Sequence, residues 1–180
     1  MKTKIADLVQ RHIALSVIGP SAARKLLQKG QIVNVREFLN ALTIEQFGDP
    51  SRFSFGLNSA TQDMTKQLPV SWGAARKFLN LYVRELSYNF YVRKEYELGR
   101  TEHLLELPLD RFAAQGLRDD AIGLNLEGAV PRWDGVIHLT PEVSDQFQSA
   151  AATVAARRSI SRVHLDLIYW RRESHEALPG

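Results

Sequence analysis

Residues 71–92 read SWGAARKFLNLYVRELSYNFYV and predict the longest helix of the chain. Apolar side chains recur there at steps of three or four residues, as on the buried face of an amphipathic helix. They are Ala75, Phe78, Leu79, Tyr82, Leu86 and Phe90. Ser71 is a favourable N-cap because its hydroxyl can accept a hydrogen bond from a first-turn N–H. Arg76, Arg84 and Arg93 lie away from the apolar face, and Gly99 is the expected end of this core helix.

The rest of the chain shows the same periodicity, and strand patterns are scarce. We expect further helices over residues 5–15, 22–29, 58–66, 108–117, 141–157 and 161–170, and another after an Asn34–Glu37 cap pair. Ile5, Leu8, Val9, His12, Ile13 and Leu15 would form the buried face of the first helix. Residues 119–139 are expected to be a loop anchored by Trp133, and residues 48–57 a loop or a short extended segment, because both hold Gly and Pro. The pattern predicts an all-α, compact domain of about eight helices, with an N-terminal lobe (1–57) and a second lobe (58–180).

Composition excludes several classes of protein. The chain has no cysteine, which removes disulfides, thiolate nucleophiles and cysteine-based metal sites. The five histidines lack metal-ligand spacing, and no nucleotide-binding or serine-hydrolase motif occurs, so we expect no metal and no cofactor. No signal-peptide pattern is present, and no run approaches the ~20 apolar residues of a membrane span. We expect a soluble cytoplasmic protein with no membrane partner.

Charge is distributed unevenly although the net charge is only +3. Residues 1–36 hold seven Lys/Arg and one Asp, and residues 71–100 hold six Lys/Arg and three Glu. Residues 101–140 hold three Arg against seven Asp/Glu. Two basic stretches are suited to a phosphate backbone, although scattered Lys and Arg also simply keep helices soluble.

Three remote segments carry residues with possible chemistry. Lys77 is followed 33 positions later by Asp110, and Asp166 and Trp170 are one helical turn apart on one face. A lysine can attack a sugar carbon, a carboxylate can stabilise positive charge, and an indole can stack on an extruded base. Ordinary explanations also exist: a solvated lysine, an aspartate that complements a helix dipole, and a core tryptophan.

Taken together, these segments resemble the helix-hairpin-helix DNA glycosylases, and most closely their archaeal 8-oxoguanine glycosylase branch. Residues 68–77 look like a divergent hairpin that leads to the family lysine. Residues 107–110, Leu-Pro-Leu-Asp, are similar to the family's Ile-Pro-x-Asp segment. Residues 163–170 look like its terminal His-Leu-Asp-x-x-x-Trp helix. The resemblance covers roughly residues 58–175 and implies an all-helical enzyme that excises bases from DNA.

By this resemblance Lys77 would be the nucleophile and Asp110 the catalytic carboxylate. Asp166, Trp170 and His164 would bind the extruded base. The implied partner is double-stranded DNA that carries a damaged or modified base, bound by a monomer. The resemblance leaves open whether the role is base-excision repair or defence against phage with modified DNA.

The hairpin itself departs from the family pattern. Val70 and Ser71 replace the glycines of the usual Leu-Pro-Gly-x-Gly, and only Gly73 remains. We therefore expect a weaker backbone cradle for a DNA phosphate, with Trp72, Gly73 and Arg76 as the DNA contacts of this segment.

Two other functions fit the same residues. A non-enzymatic nucleic-acid-binding domain would use the basic helices alone, with Lys77 as a phosphate contact. A helical interaction or regulatory protein would instead use its Trp and Tyr side chains at a protein interface.

Overall fold

The computed structural model describes residues 4–176, and these residues confirm the all-α prediction, since they contain no strand. The ten α-helices of this part of the chain are α1 (Ile5–Ser16), α2 (Pro20–Ala23), α3 (Gln31–Asn40), α4 (Glu45–Gly48), α5 (Phe53–Gln67), α6 (Trp72–Tyr88), α7 (Phe90–Glu95), α8 (Arg111–Gly123), α9 (Pro141–Arg157) and α10 (Leu165–Glu176). Short 3-10 helices, including Leu98–Leu104 and Arg162–His164, lie between them. No helix among residues 4–176 is both long and apolar enough to cross a bilayer.

The chain divides into two compact units, Met1–Leu104 and Leu105–Gly180. The lobe boundary expected at residues 57 and 58 falls inside α5, which begins at Phe53. The predicted loop over residues 48–57 is therefore wrong in its second half. Gly56 is compatible with this helix because its missing side chain makes room for Gln46, whose Oε1 would lie 2.6 Å from a Cβ there.

Helix α6 is the central helix of the first unit. Residues 73–80 are all buried, so neighbouring chain covers the helix on every side over two turns. The predicted core residues Phe78, Leu79, Tyr82 and Leu86 are fully buried, as expected. Such an enclosed helix must also bury polar side chains, and each of those needs a partner.

The end of α6 differs from the prediction. The helix stops at Tyr88, and Asn89 begins α7 by accepting hydrogen bonds from the N–H groups of Tyr91 and Val92 at 3.1 and 3.3 Å. The break turns Phe90 away from the apolar face, and its side chain is 69% exposed. The prediction of one helix as far as Gly99, with Phe90 in the core, is wrong for this reason.

The first three helices also differ in detail from their predictions. α1 buries Ala6 and Ala14, whereas Ile5, Leu8 and Leu15 of the predicted core face are 58, 58 and 42% exposed. The predicted helix over residues 22–29 is the single turn α2, followed by irregular chain. Residues 34 and 37 lie inside α3, which starts after Gly30, so they form no cap pair.

One close approach joins α4 to the segment that follows α7. A Cβ built on Gly48 would lie 1.8 Å from the carbonyl oxygen of Tyr96, so the two backbones touch where this side chain is missing. Beside this contact, the buried hydroxyl of Thr101 donates a 2.6 Å hydrogen bond to the carbonyl of Phe47. These contacts fix α4 in the first unit.

The second unit is built from α8, α9 and α10. Gly116 of α8 admits the ring of Tyr169, whose Cδ1 would lie 2.3 Å from a Cβ at position 116. The Tyr169 hydroxyl donates to Asp120 at 3.1 Å, and Arg158 of the α9 C-cap donates to the same carboxylate at 2.7 Å. Trp133, the predicted anchor of the long loop, meets Phe147 edge-on at 5.5 Å.

Candidate functional site

The first group of candidate residues lies at the start of α6. Residues 68–71 connect α5 to α6 directly, as the hairpin prediction requires. Ser71 is the N-cap, and its hydroxyl accepts a hydrogen bond from the Ala74 N–H at 3.2 Å, which confirms the predicted cap. Trp72 and Gly73 form the first turn, and Trp72 is half-buried.

Arg76 lies in the interior and not on the solvent side that the periodicity predicted. Its side chain is only 6% exposed. Its Nη1 donates to Asn58 Oδ1 at 2.9 Å and to Thr61 Oγ1 at 3.1 Å, and its guanidinium lies 5.5 Å from the Trp72 ring centroid. These contacts join α5 to α6, so the geometry gives Arg76 a packing role where the sequence predicted a DNA contact.

Lys77 is buried as well, with 8% of its surface exposed. It lies in the second turn of α6, close behind the connector. Lysine is almost never this buried in a protein unless its amine is partnered, and this enclosed position argues against an ordinary solvated lysine. Lys77 is therefore unusual for a lysine, because nearly all of its surface is buried.

Asp110 of the second unit is the N-cap of α8. Its Oδ1 accepts hydrogen bonds from the N–H groups of Phe112 and Ala113 at 2.9 and 3.0 Å. The helix begins at Arg111, so the prediction that Pro108 opens it is wrong by one turn. The Asp110 side chain therefore caps α8, whatever else it does. Its carboxylate is half-buried and fixed at a helix N-terminus.

The segment before Asp110 is held by α9. Gln148, which is 3% exposed, donates to the Leu107 carbonyl at 2.8 Å and accepts from the Leu107 N–H at 2.9 Å. Arg162 donates to the Leu105 carbonyl at 3.0 Å. Residues 105–109 belong to no helix or strand. The backbone groups of Leu107 and the carbonyl of Leu105 therefore take side chains as their hydrogen-bond partners. Sequence reasoning missed both residues, because nothing local marks a glutamine as a partner for a peptide 41 positions away.

The base-binding candidates lie at the C-terminal end of the second unit. His164 closes a 3-10 turn, and Asp166 follows in the first turn of α10; both are half-buried. Trp170 is 68% exposed on the same helix face as Asp166. The core explanation of this tryptophan is thereby excluded, and its indole ring is accessible to solvent.

The candidates fall into two groups. Trp72, Gly73, Arg76 and Lys77 share the first two turns of α6 in the first unit. Those of the second unit lie on or next to two helices that pack together through Gly116 and Tyr169. Asp110 caps α8, His164 directly precedes α10, and Asp166 and Trp170 lie in its first two turns.

The basic character of residues 71–100 is largely neutralised within the first unit. Arg84 pairs with Glu85 at 2.6 Å, Arg93 with Glu102 at 2.6 Å, and Arg100 with Glu97 at 3.0 Å. Since Arg76 and Lys77 are buried, this stretch does not form the open basic surface that its composition suggested.

Three tyrosines on or near α6 have pKa values above the ordinary value of the phenol. Burial raises the pKa of Tyr88 to about 12, and burial with a hydrogen bond to Asp7 raises the pKa of Tyr96 to about 12. Burial also raises the pKa of Tyr82, whose hydroxyl accepts a 2.6 Å hydrogen bond from Gln10. All three phenols stay protonated at neutral pH, so none of them can serve as a general base there.

The chain matches no protein-family model, no curated protein and no solved structure.

Proposed function

We propose that the protein is a DNA glycosylase that removes a damaged or modified base, with an accompanying lyase activity. The observation that carries the proposal is the burial of Lys77 in the second turn of α6, directly behind a helix-connector-helix segment. Lysine amines can attack a sugar carbon and form a Schiff base, and Lys77 lies at the position where the resemblance places the nucleophile.

In the proposed reaction the Lys77 nitrogen attacks C1′ of the extruded nucleotide and gives up a proton as the new C–N bond forms. The N-glycosidic bond breaks, and its electron pair leaves with the base, which takes up a proton. The new C–N bond becomes a Schiff base when the sugar ring opens, and borohydride reduces that intermediate to a stable amine. Without borohydride, elimination can break the C–O bond to the 3′ phosphate, which leaves with the electron pair, and water then hydrolyses the Schiff base and releases the lysine.

Asp110 would stabilise the positive charge that develops on the sugar. Its fixed position is an advantage for this role, since a group held before the reaction needs no reorganisation during it. The charge of the carboxylate also complements the α8 N-terminus whether or not DNA is bound.

Trp170 and Asp166 would bind the extruded base. An indole that is 68% exposed offers a flat apolar face for stacking, and base–aromatic stacking contributes about 1–3 kcal/mol. Asp166 lies one turn earlier on the same face and would accept hydrogen bonds from base N–H groups, with His164 as its neighbour before the helix.

The test is borohydride trapping on duplexes that carry oxidised, deaminated, alkylated or phage-type modified bases. We expect one class of duplex to give a covalent adduct, and Lys77→Gln to abolish it. Lys66→Gln, which removes an exposed lysine of α5, is the matched control and should trap like the wild type. An adduct of undiminished yield with Lys77→Gln would show that the nucleophile is another residue.

A second readout covers enzymes that release the base without a lysine adduct. Alkali cleaves the strand wherever a base has been lost, so it detects excision with or without trapping. DNA binding without base release from any duplex of the panel would favour the non-enzymatic nucleic-acid-binding domain.

A further inference from the structure

The cations of the first unit fall into two classes. Most are paired or buried: Lys4 pairs with Glu95, Arg36 donates to the Ile18 carbonyl at 2.8 and 3.1 Å, and those of residues 71–100 are largely engaged as described above. Several cations are exceptions, and three of them lie together between α2 and α3, whereas Arg11, Arg52 and Lys94 are scattered along the sequence. Arg24, Lys25 and Lys29 are exposed, and no ion pair of their side chains occurs within the described residues.

Acidic residues are also missing from this part of the sequence. No Asp or Glu occurs from residue 8 to residue 36. The α2–α3 loop (residues 24–30) therefore presents three cations within six positions and no local acid to neutralise them. A concentration of one charge sign on an ordered loop is the electrostatic mark of a polyanion site.

The loop is ordered by its own hydrogen bonds. The Ala23 carbonyl accepts from the N–H groups of Leu26 and Leu27 at 2.9 and 3.1 Å, and the Gln31 side chain accepts from the Gln28 N–H at 2.9 Å. Lys25 has a left-handed backbone with φ 63°, a conformation that costs a long side chain about 1 kcal/mol. A structured loop loses less conformational entropy when its cations engage a ligand.

We propose that the α2–α3 loop is the main phosphate-backbone contact of the protein, and that its partner is duplex DNA, bound without regard to sequence. Exposed lysine and arginine side chains on a loop are suited to phosphate oxygens, and phosphate contacts carry no direct sequence information. Leu26 and Leu27 are half-buried in the unit, so the loop lacks the exposed apolar side chains with which a membrane-surface segment inserts.

This inference rests on the proposed function only for the choice of DNA as the polyanion. The test is the salt dependence of binding to an unmodified duplex, measured by fluorescence anisotropy with the full chain. Each phosphate contact contributes about 0.9 to the slope of log K against log salt. The variant Arg24→Gln/Lys25→Gln/Lys29→Gln should therefore reduce the steepness of that slope by about 2.7 and weaken binding near 0.1 M salt by about 10²–10³-fold.

The matched control removes the same total charge from cations that already have a carboxylate partner. Lys66→Gln/Arg100→Gln/Arg132→Gln alters the pairs with Asp63, Glu97 and Asp134, which are 3.9, 3.0 and 2.8 Å apart. We expect this variant to keep most of the wild-type slope. Equal slopes for the two triple variants would show that only net charge matters and would overturn the proposal.

Two further outcomes are informative. Binding to anionic phospholipid vesicles but not to the duplex would overturn the choice of DNA. The salt slope is measured on an unmodified duplex, so absence of any trapped adduct in the wild type leaves it unaffected. Failure of the loop proposal and failure of the glycosylase proposal are thus separate results.

Discussion

Arg76 in the first unit and Gln148 in the second are buried to a similar degree, at 6 and 3% exposure, but they hold different things together. Arg76 binds two side chains of a neighbouring helix, Asn58 and Thr61. Gln148 binds both backbone polar groups of one residue, Leu107, in the segment that leads to Asp110. The comparison teaches that a buried polar side chain is explained by what it binds, whether that is a neighbouring helix or the backbone of a segment without regular structure.

The largest effect is expected for Arg76→Ala. The change removes a buried cation, leaves Asn58 and Thr61 without a donor and opens a cavity beside Trp72, which together should cost about 3 kcal/mol of unfolding free energy. Urea denaturation would measure it. Lys66→Ala on α5 is the surface control and should change stability by less than about 0.5 kcal/mol. A loss below about 1 kcal/mol for Arg76→Ala would mean that these contacts do not hold α5 to α6.

An intermediate effect is expected for Gln148→Ala, at about 2 kcal/mol. Both the N–H and the carbonyl of Leu107 lose their partner, but water that enters the cavity can replace part of it. The control is Gln115→Ala, because the Gln115 side chain is exposed and donates a hydrogen bond to Asp119 in the next turn of α8. Hydrogen exchange at the Leu107 amide should accelerate in the Gln148 variant and not in the control. Unchanged exchange would show that Gln148 does not order the segment.

The smallest effect on stability is expected at Asp110, and here stability and activity should separate. Asp110→Ala removes the N-cap and should cost about 1 kcal/mol, whereas Asp110→Asn keeps a capping oxygen and should cost only a few tenths. If the carboxylate charge acts on the sugar, the Asn variant should nevertheless lose about 10²–10³-fold in base excision. An Asn variant with wild-type excision would leave Asp110 with its capping role alone.

Local signals predicted several elements correctly. Thr140 followed by Pro141 marks the start of α9, and the structure gives Pro141–Arg157 as predicted, with the Thr140 hydroxyl accepting from the Val143 N–H. The Ser71 cap was predicted for the same reason, since a hydroxyl before an apolar-periodic run satisfies a free N–H. Where capping and periodicity agreed, the sequence was sufficient.

The errors arose where long-range packing decided the outcome. Apolar spacing identified one face of α1, but the face that found a neighbour carries Ala6 and Ala14. Periodicity continued through Phe90, whereas the side chain of Asn89 competed successfully for the backbone of the next turn. The burial of Arg76 depends on Asn58 and Thr61, 18 and 15 positions earlier, which a pattern of spacing does not reveal.

The sequence predicted which residues could form the candidate site, but not how buried or exposed each of them is. Lys77 and Trp170 were chosen from motifs, and neither the burial of the first nor the exposure of the second followed from spacing. The α2–α3 loop was visible as a basic composition of residues 1–36. Which of those cations remain accessible depended on the pairing of Lys4 and Arg36 in the folded unit.

The contact between Gly48 and Tyr96 has a consequence for how the first unit folds. The two residues are 48 positions apart, and the Thr101–Phe47 hydrogen bond spans 54. Closing such a loop in an unstructured chain costs entropy before any contact compensates for it. Because α5 and α6 lie within the loop and are joined by a short connector, their pairing shortens the span that remains to be closed. We therefore expect the pairing of α5 with α6 to come first, and the contact between α4 and the segment after α7 to form later as the non-local step.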